Sequence, residues 1–261
     1  MSGPATEICF LGLLDVTKIE DPNSDSYGVL QSALTTLTDQ DGFQKTYYGR
    51  QKENPQTLQM CIGKACWHLD PPPPKQNTHT RFSDHRCSQN RLIDVLHLHI
   101  DWDSIDDHTK FANSDAYKPF TQHLSSILLD PPRYHHVYFS PPFSRAATAA
   151  VTEFVHFYFD SSVDKRHYEK NAKQFCDILQ KNADGVRDVS MGWVEEEVEH
   201  KDVEGGKGRA FVCAIGWVSV EAHMAYRETQ TFKDSVGLIR EGPKAVEMVH
   251  VPFTTQEKIV T

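Results

Sequence analysis

One pattern of seventeen residues occurs twice in this chain, once in each half: WDSIDDHTKFANSDAYK from Trp102 and WVSVEAHMAYRETQTFK from Trp217. Both read Trp-x-Ser-[Ile/Val]-acid-x-His-x-x-[Phe/Tyr]-x-x-[Ser/Thr]-x-x-[Tyr/Phe]-Lys. Agreement of this extent at one fixed offset marks an internal duplication, which sets the size and number of the folding units before any other reading. The 261 residues therefore have to form two units of one plan.

The second half gives that plan more clearly. Glu153–Phe159 is aromatic and β-branched and reads as a strand. Ser161 and Asp164 open a helix whose apolar face is Tyr168, Ala172, Phe175, Cys176 and Leu179. Asp184-Gly185 ends it, Val186–Glu197 is a second strand, and the glycines at 205–208 turn the chain into Arg209–Trp217. Ser219 caps a second helix, and Val246–Phe253 is the last strand. The order β-α-β-β-α-β is the split ferredoxin-like arrangement.

The first half repeats it, with Glu7–Val16 as a strand and Tyr27, Leu30, Leu34 and Leu37 as a helix face. Phe43–Arg50 is the second strand, Thr57–Ile62 begins the third, and a helix from Trp102 to about Leu128 is kinked by Pro119. Tyr134–Ser140 closes the unit. The fold class is α+β: two tandem ferredoxin-like units forming an intramolecular dimeric α+β barrel. The boundaries are 1–140, a linker over 141–152, and 153–261.

The duplication breaks once. Phe211–Ile215 runs directly into Gly216-Trp217, whereas Leu58–Ile62 is separated from Asp101-Trp102 by residues 63–100. That stretch carries four consecutive prolines and five histidines, and a structureless run of this length argues against its place in a compact unit. Deleting it aligns LQMCI-DWDSIDDH with FVCAI-GWVSVEAH. Gly63-Lys64 can be encoded with a splice-donor-like sequence and Ile100-Asp101 with an acceptor-like one in the same phase. We therefore read 63–100 as a disordered insertion and a candidate unspliced intron. Its pairs Cys66-x-His68, His85-x-Cys87 and His97-x-His99 have the wrong spacing for structural zinc, and no metal is expected.

Composition narrows the partners. A formal net charge of -9 disfavours nucleic acid and anionic membrane surfaces. The start, MSGPATE, lacks a secretory pattern, and the longest apolar runs are strand-sized. The six cysteines form no regular framework, so a reducing, cytoplasmic setting is expected. The expected ligand is a small aromatic molecule, and the expected assembly a monomeric pseudo-dimer or a higher homo-oligomer.

The strand ending in Trp217 and the helix that reads WxS[VI]EAHxAYRETxxF resemble the antibiotic-biosynthesis-monooxygenase-like family of dimeric α+β barrels. The resemblance covers 153–253 and, more loosely, 7–62 with 101–140. It implies a cofactor-independent monooxygenase acting on an aromatic or polyketide-like metabolite, or else a non-catalytic ligand-binding or structural barrel module. Haem-degrading members carry a histidine after the Phe-Lys pair of the second helix. Here Phe232-Lys233 is followed by Asp234-Ser235-Val236, and His123 lies too far beyond Tyr117-Lys118, so no cofactor is expected.

Candidate site residues follow from residue type and periodicity. His108 and His223 either exchange a proton near a cleft or bond a neighbouring strand at the helix start. Alternation along Phe154–Phe159 places Phe154, His156 and Tyr158 on one face. If that face looks into the barrel, it lines a site for a flat phenolic ligand. His156 and His223 are the proton-acceptor candidates, and Tyr158, Trp193, Trp217 and Arg227 the substrate-binding ones.

Overall fold

The computed structural model describes residues 4–14, 18–53 and 95–258. In chain order the first unit is β1 (Ala5–Gly12), α1 (Asp25–Thr38), β2 (Phe43–Arg50), β3 (Val95–Trp102), α2 (Ile105–Ala112), α3 (Tyr117–Ser125) and β4 (Arg133–Val137). A short α4 (Ser144–Ala147) leads into the second unit. That unit is β5 (Val151–Asp160), α5 (Lys165–Asn182), β6 (Val186–Trp193), β7 (Val198–Glu199), β8 (Lys207–Trp217), α6 (Val220–Arg227), α7 (Gln230–Ser235), α8 (Gly237–Arg240) and β9 (Ala245–Val251). A final strand, β10 (Thr254–Glu257), follows.

The sheets run β10-β2-β3-β1-β4 and β6-β8-β5-β9, so each unit has the ferredoxin-like order with its first and third strands central. The repeated motif has a local cause. Ser104 and Ser219 are N-caps whose hydroxyls accept from the amides of Asp107 and Ala222, starting α2 and α6 immediately after the strand-ending tryptophans.

Period-two alternation then divides each strand between two cores. Val155, Phe157 and Phe159 join α5–α8 on one side of the second sheet, packed with Phe175, Leu179 and Trp217. Leu96, Leu98 and Ile100 join α1–α3 on the matching side of the first. A third cluster lies between the sheets and includes Ile8, Tyr47, Phe143, Phe154, Val212 and Val249. Burying side chains of this size contributes roughly 1.5–3 kcal/mol each. Neither sheet buries that face alone, so the two units form one barrel.

The chain exchanges segments across the seam. At the end of β4 and just after it, Val137 and Ser140 bridge to Val194 and Met191 of the second unit. Beyond β9, β10 pairs with β2 of the first unit from Thr254↔Tyr48 to Glu257↔Lys45. Two glycines make room for the crossings. A Cβ on Gly49 would meet the Pro252 carbonyl at 2.4 Å, and one on Gly192 the Tyr138 carbonyl at 2.6 Å.

Three expectations are corrected. The third strand of the first unit is Val95–Trp102, paired with β1 from Ala5↔Trp102 to Gly12↔Val95, so residues 95–100 are ordered in the sheet and not part of a disordered stretch. Leu96, Leu98 and Ile100 alternate with His97 and His99, and this period carries the strand. The expected strand at Thr57–Ile62 and the expected disorder of 63–94 lie outside the described residues. The helix after Trp102 breaks at Asn113–Ala116 instead of Pro119, because Pro119 falls in the first turn of α3, where its missing N–H costs nothing. Finally, the expected linker over 141–152 takes part in the core. Phe143, Ala146 and Ala147 are buried in the core between the sheets, and β5 already begins at Val151.

Candidate functional site

The duplicated tryptophan and histidine lie in two buried hydrogen-bonded rows related by the pseudo-twofold. In the second unit Glu153 on β5 accepts from Trp217 Nε1 at 3.0 Å, and its other oxygen faces His223 Nε2 at 3.4 Å. His223 Nδ1 meets His250 Nε2 on β9 at 2.8 Å. The backbone N–H and Nδ1 of His250 both bond Glu53, which follows β2 of the first unit. The first unit repeats this: Glu7 with Trp102 Nε1 at 2.9 Å and His108 Nε2 at 3.5 Å, then His108 with His136 at 2.8 Å. His136 ends on Glu196 of the second unit. Each row thus starts in one half of the chain and finishes on a carboxylate from the other.

Burial pushes the Glu53 and Glu196 carboxyls up, but hydrogen bonds from the facing histidines outweigh it and hold both below the ordinary range. Burial lowers the basicity of His223 and of His108, against the pull of Glu153 and Glu7 respectively. Glu7, His108 and His136 also lie close enough together to suggest a metal centre. His108 lies between the other two, with Nε2 toward Glu7 and Nδ1 toward His136.

The rows differ in what else reaches the first carboxylate. The Cys9 thiol donates to Glu7 at 3.2 Å, and burial together with that carboxylate holds the thiol protonated. In the second unit the matching position is Val155, and Glu153 instead lines a cavity of about 70 Å³ beneath α5–α8. Its walls are apolar, including Phe157, Phe175, Phe232 and Met248, with His223, Tyr226 and Arg227 beside Glu153. The Tyr226 hydroxyl is buried next to Ser235 without a hydrogen bond of normal geometry. Ser235 stands at the motif offset of Phe120, and in the first unit Phe111, Tyr117 and Phe120 stack together in that space.

The six sequence candidates separate. His223 and Arg227 line the cavity, and Trp217 stacks behind His223 with centroids 5.2 Å apart. Trp193 packs on Phe159, Tyr168 and Phe211 under Lys165, on the same side of the sheet. His156 and Tyr158 face the barrel as alternation requires, which is the opposite side of β5 from His223, so the two histidines cannot serve one ligand. The barrel there is filled. His156 Nε2 lies 3.2 Å from His135 Nε2, with Phe10 and Phe154 against the ring, and Tyr158 donates to Glu247. Burial drives His97 to about 3 and His135 to about 4, and pushes His99 and His156 well below the ordinary range. His97 Nδ1 and both ring nitrogens of His99 are buried with no hydrogen-bond partner among the described residues.

Asp234, Ser235 and Val236, after the Phe-Lys pair, carry no ring nitrogen, and His123 is exposed. Sequence reading passed over Glu7, Glu153, His136, His250, Glu53 and Glu196. All were legible by extending the duplication: Thr-Glu at 6–7 and 152–153, His-Val-x-Phe at 136–139 and 250–253, and Gly-x-x-x-Glu at 49–53 and 192–196.

No family model matches this sequence, and no curated protein does. Solved structures do match in fold. An anthrone oxidase-like protein aligns over 98% of this chain and 94% of its own at 11% identity, with a TM-score of 0.58. A candidate monooxygenase from Lactobacillus acidophilus aligns over 98% and 97% at 9% identity, with a TM-score of 0.53. One from Fusobacterium nucleatum covers 98% and 95% at 9% identity, with a TM-score of 0.51. At these identities the likeness establishes the architecture: an α+β barrel with both halves on a single chain.

Proposed function

We propose that the protein is a cofactor-independent oxygenase of a flat phenolic or anthrone-like molecule, held in the cavity of the second unit. The observation that carries this reading is Glu153, a carboxylate fixed by Trp217 and His223, at the wall of an otherwise apolar cavity. An ionised carboxylate accepts more hydrogen bonds than the one from Trp217, so a ligand hydroxyl or acidic C–H can give up its proton there. The resulting carbanion or phenolate is electron-rich enough to reduce oxygen held beside it, the apolar wall excluding water. For an anthrone the balance is closed: the CH2 group and one O2 give the ketone and one H2O. About 70 Å³ holds on the order of five waters, or one aromatic ring. A multi-ring substrate requires α7 and α8 to move outward.

Oxygen uptake over a panel of phenols and anthrones tests this. One O2 consumed per substrate is expected, with Glu153→Gln lowering the rate at least 100-fold and Ser235→Phe abolishing binding. No uptake by folded protein across the panel would defeat the reading. The filled barrel interior favours a second reading for that face alone, in which His156 and Tyr158 serve the fold. If the cavity binds no ligand, the whole protein is such a module.

A further inference from the structure

The row that starts at Glu153 has a proton count that the site alone does not explain. It contains two hydrogen bonds, His223 to His250 and His250 to Glu53, and a 3.4 Å approach of Glu153 to His223 Nε2. Two neutral imidazoles bring the two hydrogens that these bonds use, which leaves the lone pair of His223 Nε2 against the Glu153 carboxylate. With a carboxylate at both ends, one extra proton in the row relieves that approach, and a change of tautomer only moves it to the Glu53 end. The proton has two resting places. On the Glu53 side it makes His250 an imidazolium and leaves Glu153 ionised. On the Glu153 side it occupies the carboxylate that faces the cavity.

We propose that Glu53, contributed by the first unit, is a positioning residue that holds this proton on His250 and so keeps Glu153 of the second unit free to act as a base. The inference rests on the oxygenase reading for its chemistry, but its own claim concerns where a proton resides. Glu53 is equipped to hold it. The carboxylate grips His250 through both the ring Nδ1 and the backbone N–H, leaving the ring no other orientation. Burial pushes the Glu53 carboxyl up, yet hydrogen bonding from His250 outweighs this and keeps it ionised. Its side chain retains 25% exposure, so water solvates the charge at this end, while Glu153 retains only 11%. Burial meanwhile makes His223 the poorer seat for the charge.

The first unit supplies an internal control. Glu196 holds His136 in the same way, but the carboxylate at the far end, Glu7, is capped by the Cys9 thiol. Losing Glu196 therefore removes the same structural contact without touching the open site.

The test compares Glu53→Gln and Glu196→Gln with the unsubstituted protein. Glutamine keeps an acceptor oxygen for the histidine and removes the charge. The probe is 4-nitrophenol, a single ring whose colour reports its ionisation, bound without oxygen. Nitrogen NMR of the histidine rings reports the proton directly. The proposal expects a doubly protonated His250 ring that becomes neutral in Glu53→Gln. It also expects bound nitrophenolate in the unsubstituted protein and in Glu196→Gln, shifting to neutral nitrophenol in Glu53→Gln with an affinity change of less than 3-fold. In turnover, kcat should fall at least 10-fold with KM little changed.

A His250 ring that is neutral in the unsubstituted protein, or still doubly protonated in Glu53→Gln, overturns the proposal, as does unchanged ionisation of the probe. Probe ionisation that responds to Glu53 without any oxygen uptake sinks the oxygenase reading and leaves the proposal standing. If nitrophenol does not bind at all, the ring signals alone decide. Should Glu53→Gln fold poorly, Glu53→Asp, which keeps the charge, must restore the imidazolium.

Discussion

At the scale of single residues, the two units are told apart by one exchange of side chain. Cys9 gives Glu7 a thiol hydrogen, while Val155 leaves Glu153 open. Val155→Cys should close the second site in the same manner, lowering turnover or probe ionisation at least 10-fold while stability in urea changes by less than about 1 kcal/mol. Retained activity would show that the thiol is not what silences the first unit. The histidines between the sheets make a different prediction. His97, His99, His135 and His156 are all held neutral by burial, whereas in the unfolded chain each takes up a proton near pH 6.5. The unfolded state then binds more protons below that pH, so stability falls as pH drops through 6.5. Between about pH 7.5 and 5.5 each such imidazole withdraws about 1.4 kcal/mol. Urea midpoints across that range should show the loss. The double change His97→Val and His99→Ala, which copies Val212 and Ala214 of β8, should flatten it.

At the scale of elements, β3 is where the duplication and the fold disagree. Its counterpart in the second unit, β8, presents Val212 and Ala214 to the interior, but β3 presents two histidines with three ring nitrogens unpaired among the described residues. Unpaired buried polar atoms cost about 1–3 kcal/mol each. A chain lacking residues 63–100 would instead join Leu58-Gln59-Met60-Cys61-Ile62 to Asp101, with Cys61 at the position that Ala214 has in β8 and Gln59 at that of Val212. That variant should fold and melt several degrees higher than the full chain, and spliced transcripts should match it. An unfolded deletion variant would defeat the intron reading. The reach of sequence reasoning is visible in the same elements. Strand order, the Ser219-capped helix and the buried face of α5 were legible because each rests on local periodicity and capping. The site was less so. His223 was singled out only because it is repeated, and nothing local to Glu53 or Glu196 points to a histidine two hundred or sixty positions away. Those partners are set by how the sheets face each other, and become legible only when the duplication is followed past its most obvious segment.

At the scale of the whole molecule, two sheets bury a common face and trade their terminal segments, with β10 on β2 and residues 137–140 against β6. Gly192→Ala would push a methyl group into the Tyr138 carbonyl at that crossing and should cost about 1–3 kcal/mol, read as an earlier urea midpoint. The segment joining the units has a wider consequence. Two such halves on separate chains would find each other at a rate set by their concentration, and their melting temperature would climb with it. Tied together through α4, whose Phe143 is itself part of the shared core, they meet at a fixed effective concentration however dilute the solution. The halves are thereby released from having to be identical: one sequence change no longer appears on both sides of the axis, and a cysteine can seal one pocket while a valine leaves the other open.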